Sequence, residues 1–238
     1  MTEIFAHRGS AHLNRENTVG AFVAARELGA DGIELDVRRT ADGALVVHHD
    51  AELPDAGPIA ELSLAELPEW LPSLEAALDA CRPIQVNVEI KQREGEWGPE
   101  LDDPLAFDVA RLLARRSEAA RIIVSSFSLR TINAVRATVP SLATALLVEV
   151  AEDPFRAIAT AHEHGHGGVH PFFLSVDKAL IRDAKAEGIA IRTWTVDDPA
   201  RIAALADMGA AAVITNDVPA ARRALRRSDD SVDPPPPT

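Results

Sequence analysis

The chain has 238 residues, of which 47% are hydrophobic and 26% are charged, and its formal net charge is −13. This length suffices for one large domain or two small ones with a sizeable core. The negative charge argues against a nucleic-acid partner or an anionic membrane surface, because both require clustered lysine and arginine. An anionic substrate would need a local positive charge, which a bound metal ion would supply.

Cysteine content and the two ends of the chain give expectations about location. Cys81 is the only cysteine, so no internal disulfide can form and a cytoplasmic location is permitted. We expect no signal peptide and no stable membrane insertion, since no apolar run reaches the ~18–20 residues of a membrane span. We therefore expect a cytoplasmic protein; the sequence gives no oligomeric state. Residues 1–227 are predicted to form a single domain, and residues 228–238, rich in proline and aspartate, a disordered tail.

Strand-like runs alternate with helical segments along the chain. Asp–Pro pairs mark helix starts at Asp103, Asp153 and Asp198, because an N-cap carboxylate followed by proline favours the first turn. Gly29, Gly188 and Gly209 are predicted to end helices. The eight predicted strands are residues 3–7, 32–37, 84–90, 121–127, 144–150, 167–172, 190–196 and 211–216.

Eight strand–helix units predict an α/β fold of the (β/α)8 TIM-barrel type. An open doubly wound sheet is the alternative, but no glycine-rich dinucleotide motif follows the first strand. Residues 38–83 are longer than one crossover needs. We interpret them as an elaborated loop after the second strand, lying on the barrel mouth and containing a short extra strand.

Polar residues recur where the predicted strands end. Active sites of such barrels form at the C-terminal ends of the strands, so these residues are the candidates for chemistry. They are His7, Arg8, Glu34, Asp36, Glu89, Lys91, His170, Trp194, Thr215 and Asn216, with His48 and His49 after the extra strand.

The pair Glu34-x-Asp36 gives the strongest indication of a functional site. Residues i and i+2 of a strand point to the same side, so two carboxylates would share one space, with Glu89 on the next strand as a third. Ionised carboxylates in close proximity repel each other unless a proton or cation intervenes. Three oxygen ligands suit Mg²⁺ or Ca²⁺; structural ion pairs with Arg38, Arg39 or Lys91 are the alternative.

The neighbouring cations and histidines extend this pattern. Lys91 lies two residues beyond Glu89 and is expected to face the same space, where it and Arg8 could hold an anion. An anion, a divalent cation and two histidines are the components of phosphoryl transfer with general acid–base catalysis. By contrast, His162, His164 and His166 span a helix end and a turn, and we expect all three on the solvated surface.

Taken in order, these motifs resemble the glycerophosphodiester phosphodiesterase family, in the form of its short bacterial cytoplasmic members. The resemblance covers about residues 4–218. The matching segments are AHRG (6–9), ENT (16–18), IELDVRRTADG (33–43), VVHHD (46–50), NVEIK (87–91), SSF (125–127), TWTVDD (193–198) and AVITND (212–217).

The resemblance implies a (β/α)8 barrel that hydrolyses glycerophosphodiesters to an alcohol and sn-glycerol 3-phosphate, with one divalent cation, Mg²⁺ or Ca²⁺. His49 is chosen over His48 because it directly precedes Asp50, as in the family's His-Asp pair. The roles implied are metal binding for Glu34, Asp36 and Glu89, acid–base catalysis for His7 and His49, and substrate binding for Arg8, Asn17, Lys91 and Trp194.

Two departures leave the alcohol of the substrate open. RENT (15–18) stands where Pro-Glu-Asn-Thr is common, and the loop after Asp50 lacks an Arg-Thr pair found in many members. A lysophospholipid or phosphoinositide-like substrate is one alternative, with an apolar groove formed by Trp70, Leu71, Phe172 and Phe173. A barrel that only binds phosphate-bearing metabolites is the other, although no histidine or metal carboxylate of the pattern is missing.

Overall fold

The computed structural model describes residues 1–10, 13–91 and 103–229. The final helix runs to Asp229, two residues beyond the predicted end of the domain. Residues 230–238 of the predicted tail lie outside the described part, and their disorder remains a prediction. None of the helices in the described ranges combines the length and apolar composition that crossing a bilayer requires.

Eight parallel strands close into a barrel, and three short strands lie in the loop after the second. The strands are β1 (Glu3–His7), β2 (Gly32–Arg39), β3 (Leu45–Val47), β4 (Glu52–Leu53), β5 (Gly57–Pro58), β6 (Gln85–Ile90), β7 (Ile122–Ser126), β8 (Ala143–Val148), β9 (Gly168–Pro171), β10 (Ala190–Thr193) and β11 (Ala212–Thr215). Around the barrel the order is β1-β2-β6-β7-β8-β9-β10-β11, and β1 closes the ring by pairing in parallel with both β2 and β11. The predicted TIM barrel is confirmed.

Eight helices follow the barrel strands in the described residues. They are α1 (Val19–Glu27), α2 (Leu74–Ala80), α3 (Pro104–Ala114), α4 (Leu129–Thr138), α5 (Pro154–His164), α6 (Lys178–Ala186), α7 (Pro199–Met208) and α8 (Val218–Asp229). The caps predicted from Asp103, Asp153 and Asp198 are present: each carboxylate accepts a hydrogen bond from the first turn of its helix. Gly29, Gly188 and Gly209 all have positive φ, as a glycine that ends a helix requires.

The elaborated loop after β2 folds back on that strand. β3 pairs antiparallel with the end of β2, with Val37 opposite Val47. The backbone N–H of His48 then donates to the carbonyl of Asp36 at 2.9 Å. A β4–β5 hairpin and two 3₁₀ turns complete the loop. This pairing brings the residues that follow β3 to the C-terminal rim of the barrel.

Successive side chains along each barrel strand point alternately outward and inward, and this alternation divides the core into two layers. Outward-facing side chains such as Ile4, Ile33 and Val86 pack against the helices in one large cluster. A separate small cluster, which includes Phe5 and Ile214, fills the barrel interior beneath the mouth. The interior is therefore a packed plug, as expected for a closed eight-stranded barrel.

Two local expectations were wrong. β10 ends at Thr193, so Trp194 lies just beyond the strand and joins Phe172 through an isolated bridge. His166 is 3% exposed, and its ring hydrogen-bonds with Thr144 at 2.8 Å and Asn133 at 3.0 Å. It turns inward because it follows the left-handed residue that ends α5; His162 and His164 are exposed as predicted.

We expect Gly32→Ala to destabilise the barrel. A Cβ at residue 32 would lie 2.6 Å from Cζ and 2.7 Å from Cδ1 of Phe5, whose fully buried ring is confined by the interior cluster. Overpacking of this kind costs about 1–3 kcal/mol, which urea denaturation should show as a lower free energy of unfolding. Gly167→Ala is the matched control, because a Cβ there meets no atom within 4 Å. An equal loss in both variants would contradict this explanation.

Candidate active site

Neighbouring strands deliver the acidic residues to one end of the barrel. In the parallel register His7 of β1 stands beside Glu34 of β2, and Asp36 of β2 stands beside Glu89 of β6. Lys91 directly follows β6. The strand spacing seen in the sequence therefore brings these side chains together.

The carboxylates of Glu34, Asp36 and Glu89 form a compact buried cluster. One oxygen from each lies within 4.8 Å of the others, and the residues are 3%, 1% and 7% exposed. Glu34 Oε2 accepts a hydrogen bond from the backbone N–H of Arg8 at 3.2 Å, but its Oε1 is buried with no hydrogen-bond partner. A hard divalent cation fits such a set of oxygens.

Two cations flank the cluster without neutralising all of it. Lys91 Nζ lies 3.0 Å from Asp36 Oδ1 and 2.5 Å from Glu89 Oε1. Arg8 Nε lies 3.3 Å from Asp36 Oδ2, and Arg8 Nη1 donates to Glu16 Oε1 at 2.9 Å. Three carboxylates thus share two cations, one of which is also paired with Glu16.

The pKa values of the three carboxyl groups reflect this imbalance. Burial, followed by the charges of Asp36 and Glu89, raises the pKa of Glu34 well above its usual range. Burial and then Asp36 raise the pKa of Glu89 to about 7. Burial opposes ionisation of Asp36 too, yet Lys91 and Arg8 outweigh it and lower the pKa of Asp36. The cluster would accept either protons or a divalent cation.

The loop after β1 is built around two residues in the left-handed region. Arg8 has φ 55° and Asn17 has φ 56°, a conformation that costs non-glycine residues of the order of 1–3 kcal/mol. The backbone N–H of Asn17 donates to the carbonyl of Arg8 at 2.9 Å. Asn17 Nδ2 donates to Asp36 Oδ2 at 2.7 Å, and Asn17 Oδ1 accepts from the Asp36 N–H at 3.4 Å. The amide of Asn17, 1% exposed, thus fixes the Asp36 carboxylate.

His7 lies between the acidic cluster and the end of β11. Its Nδ1 is 2.8 Å from Asn216 Oδ1 and its Nε2 is 4.0 Å from Glu34 Oε2. Burial, and then the charge of Arg8, lower the pKa of His7 below its usual range. The imidazole is therefore neutral at pH 7, with one nitrogen towards the amide and the other towards the carboxylates.

His49 reaches the same rim from the elaborated loop. Its Nδ1 lies 2.7 Å from Asp50 Oδ1, and Arg38 holds its backbone by donating to its carbonyl at 2.9 and 2.6 Å. Burial and then Lys91 lower the pKa of His49, although the carboxylate of Asp36 opposes this. The neighbouring His48 instead packs its ring edge-on against Trp70. His49, rather than His48, therefore stays the candidate acid–base group.

Aromatic side chains form another part of the mouth. Trp194 packs edge-to-face against Phe127 and Phe172, with ring centroids 5.7 and 5.6 Å apart. Its Nε1 donates to the carbonyl of His170 at 2.8 Å. Leu71 is only 6% exposed and packs into the core of the elaborated loop. Leu71 is therefore unavailable to the apolar groove predicted from Trp70, Leu71 and the two phenylalanines, which otherwise stays a prediction.

Two polar residues near His7 received no specific role from the sequence, although Asn216 was among the candidates at the strand ends. Asn216 contacts His7 directly, and Asp197 accepts hydrogen bonds from both the backbone and the side chain of Asn216. Both residues follow barrel strands at the C-terminal face, and this position was the one feature of the sequence that could have pointed to them. An isolated asparagine or aspartate is too common in loops for its position alone to reveal a partner.

The match to known proteins agrees with this geometry. Residues 7–220 match the model of the glycerophosphoryl diester phosphodiesterase family. A glycerophosphodiester phosphodiesterase of Caldanaerobacter subterraneus is 29% identical over 91% of this chain and 94% of its own length. A probable glycerophosphodiester phosphodiesterase 1 of Mycobacterium tuberculosis is 30% identical over 82% of each chain.

Solved structures share the fold. A putative glycerophosphoryl diester phosphodiesterase from Silicibacter pomeroyi superposes with a TM-score of 0.83 at 23% identity, covering 96% of this chain and 94% of that one. An Oleispira antarctica phosphodiesterase, solved with the product sn-glycerol-3-phosphate, has a TM-score of 0.81 at 23% identity over 97% and 98% of the two chains. Because the family match spans nearly the whole barrel, this chain belongs to the glycerophosphoryl diester phosphodiesterase family.

Proposed function

We propose that this protein is a metal-dependent phosphodiesterase that hydrolyses glycerophosphodiesters to an alcohol and sn-glycerol 3-phosphate. The observation that carries the proposal is the buried cluster of Glu34, Asp36 and Glu89 at the mouth, flanked by Arg8 and Lys91. The names of the relatives support the reaction class. The product in the Oleispira antarctica structure supports the small phosphorylated ligand.

The three carboxylates would hold one divalent cation, Mg²⁺ or Ca²⁺. The fit rests on oxygen ligands alone, on their mutual distance, and on the buried Glu34 Oε1 that has no hydrogen-bond partner. When bound, such an ion would stabilise negative charge on a phosphoryl oxygen. Asn17 would keep Asp36 in its ligating orientation through the hydrogen bonds between them.

Arg8 and Lys91 would bind the phosphate of the substrate. An ammonium group has three N–H donors, and within the described residues Lys91 forms ion pairs with two carboxylates, Asp36 and Glu89, so a third donor would be left for a phosphoryl oxygen. Burial disfavours the charged form of Lys91, yet Asp36 and Glu89 outweigh burial and raise its pKa. The ammonium group therefore stays charged at the site, where it counteracts the net negative charge of the protein.

His7 and His49 would act as the acid–base pair. One removes the proton of the attacking hydroxyl group, and the other protonates the departing alkoxide. The charge of Asp36 acts on the pKa values of both imidazoles, which supports a position for both near the bound phosphate. Trp194 would line the channel through which the substrate enters.

We also propose that the protein works in the cytoplasm. Cys81 is a free, buried thiol, and burial raises its pKa to about 12, so it is inert and forms no disulfide. Cell fractionation with a cytoplasmic marker would test the location; recovery in a secreted or membrane fraction would contradict it.

Metal removal should abolish hydrolysis. We expect a panel of glycerophosphodiesters to be cleaved with Mg²⁺ or Ca²⁺ present and not after exhaustive treatment with EDTA, with activity restored when the ion returns. Glu89→Gln should need far more metal for the same rate, because it removes one anionic ligand. Glu75→Gln, at an exposed position in α2, is the control. Activity that survives full metal removal would disprove the assignment of the three carboxylates.

The carboxylate cluster should make the metal-free protein less stable as the pH rises from about 4.5 to about 7, whereas buried histidines with lowered pKa values, such as His166 and His170, act in the opposite direction. In that window the folded protein retains a proton on Glu89, whose pKa is near 7, whereas the unfolded chain has lost it. Raising the pH stabilises the state with fewer bound protons, which for this group is the unfolded state. Glu34 adds to the effect, and Asp36 titrates below the window. The buried histidines are also present in Glu89→Gln, which lacks the titrating carboxyl group, so we expect the Tm of the metal-free wild type relative to that of Glu89→Gln to fall across this range, and Mg²⁺ to raise the wild-type Tm more at pH 7.5 than at pH 5. A Tm difference between the two metal-free proteins that is constant or rises with pH would contradict the description of the cluster.

His49→Ala should lower kcat by roughly 10²–10⁴-fold, the usual worth of a general acid or base. His48→Ala is the matched control, because the His48 ring packs against Trp70, and it should change kcat little. Steady-state kinetics on glycerophosphocholine would compare the two variants. Full activity in His49→Ala would remove His49 from the mechanism.

A further inference from the structure

A hydrogen-bonded chain of three residues ends on His7. Asp197 and Asn216 follow β10 and β11, the last two strands of the barrel. Asn216 Nδ2 donates to Asp197 Oδ2 at 2.7 Å, and Asn216 Oδ1 lies 2.8 Å from His7 Nδ1. The other oxygen of Asp197 accepts from the Asn216 backbone N–H at 2.8 Å and from Thr215 Oγ1 at 2.9 Å.

The charge of Asp197 fixes the orientation of the Asn216 amide. Burial disfavours the ionised form of Asp197, but the hydrogen bonds from Asn216 and Thr215 outweigh burial and lower its pKa. An ionised carboxylate only accepts hydrogen bonds, so the amide nitrogen of Asn216 must face Asp197. The amide oxygen must then face His7.

This orientation decides which nitrogen of His7 carries the proton. An amide oxygen only accepts hydrogen bonds, so His7 Nδ1 must be the donor at 2.8 Å. In a neutral imidazole the other nitrogen then has a free lone pair. That nitrogen, Nε2, faces the acidic cluster, 4.0 Å from Glu34 Oε2.

The second histidine has a different partner. His49 Nδ1 lies 2.7 Å from a carboxylate oxygen of Asp50, which favours a positively charged imidazole as a neutral amide does not, although burial and Lys91 outweigh this and lower the pKa of His49. The two histidines are therefore not equivalent: a neutral amide holds His7, and an anion holds His49.

We infer that Asp197 and Asn216 are positioning residues that hold His7 with its proton on Nδ1, so that its Nε2 is the group that accepts a proton in the reaction. The inference rests on the proposed function. Nε2 takes the proton of the attacking hydroxyl group as its oxygen bonds to phosphorus. The bond from phosphorus to the alcohol oxygen breaks, and that oxygen takes a proton from His49. Exchange of one proton between the histidines and solvent restores the starting state.

The first test reads the proton position directly. Two-bond ¹H–¹⁵N correlation spectra of wild-type protein labelled with ¹⁵N-histidine distinguish the two neutral tautomers, and the signals of His7 are those missing from His7→Gln. We expect protonated Nδ1 and unprotonated Nε2, both with Mg²⁺ and after EDTA. A neutral His7 with its proton on Nε2 would overturn the inference; the tautomer is observed in the wild-type protein, and His7→Gln serves only to assign the signals.

The second test breaks the orientation of the amide. Asp197→Asn keeps the shape but lets residue 197 donate, so the amide of Asn216 is free to turn its NH₂ group towards His7. We expect the Nδ1–H signal to be lost or mixed with the other tautomer, and kcat to fall by roughly 10²–10⁴-fold with a much smaller change in KM. Asp198→Asn is the matched control, since Asp198 only caps α7 and asparagine caps as well.

The outcomes separate the positioning role from the proposed function. An unchanged tautomer in Asp197→Asn would overturn the inference whether kcat falls or not, because a purely structural role would lower activity without moving the proton. A wild-type protein that shows the expected tautomer but cleaves no glycerophosphodiester would instead contradict the proposed function. Loss of tautomer and kcat together, in Asp197→Asn and not in Asp198→Asn, supports the inference.

Discussion

The repulsion among three buried carboxylates organises this end of the barrel. Glu34, Asp36 and Glu89 occupy one small space, and such an arrangement is stable only when cations or protons compensate it. Arg8 and Lys91 supply part of that compensation. The remainder appears as the raised pKa values of Glu34 and Glu89. The proposed divalent cation would complete the balance, and the proposed phosphate-binding role of the two basic residues follows from the same charges.

The surrounding elements hold this arrangement in place. The left-handed backbone at Arg8 and Asn17 closes the first loop so that the Asn17 amide reaches Asp36. On the other side, Asp197 and Asn216 hold His7. Each support comes from a different βα loop, while the carboxylates stand on strands. Rigid strands thus carry the proposed metal ligands, and the loops that follow them orient those ligands and the histidine.

The sequence predicts much of this, because its signals are local and regular. Strand–helix alternation and the Asp–Pro caps are sufficient to predict the barrel. The i, i+2 spacing of Glu34 and Asp36 is sufficient to predict that two carboxylates lie together. The rest depends on contacts between residues far apart in the chain. His166 turns inward after a helix end, and Asn216 meets His7 across the closure of the barrel between β11 and β1. The periodicity of hydrophobic residues along the sequence carries no information about such contacts.

Calorimetric titration of the metal-free protein with Mg²⁺, in two buffers of different ionisation enthalpy near pH 7, tests the central claim most directly. The account predicts one saturable site per chain, with protons released on binding because Glu34 and Glu89 must give them up. Replacing Glu34 with Gln should weaken that binding markedly. Absence of saturable binding, or binding equal in Glu34→Gln and wild type, would contradict the claim that the carboxylate cluster is a metal site.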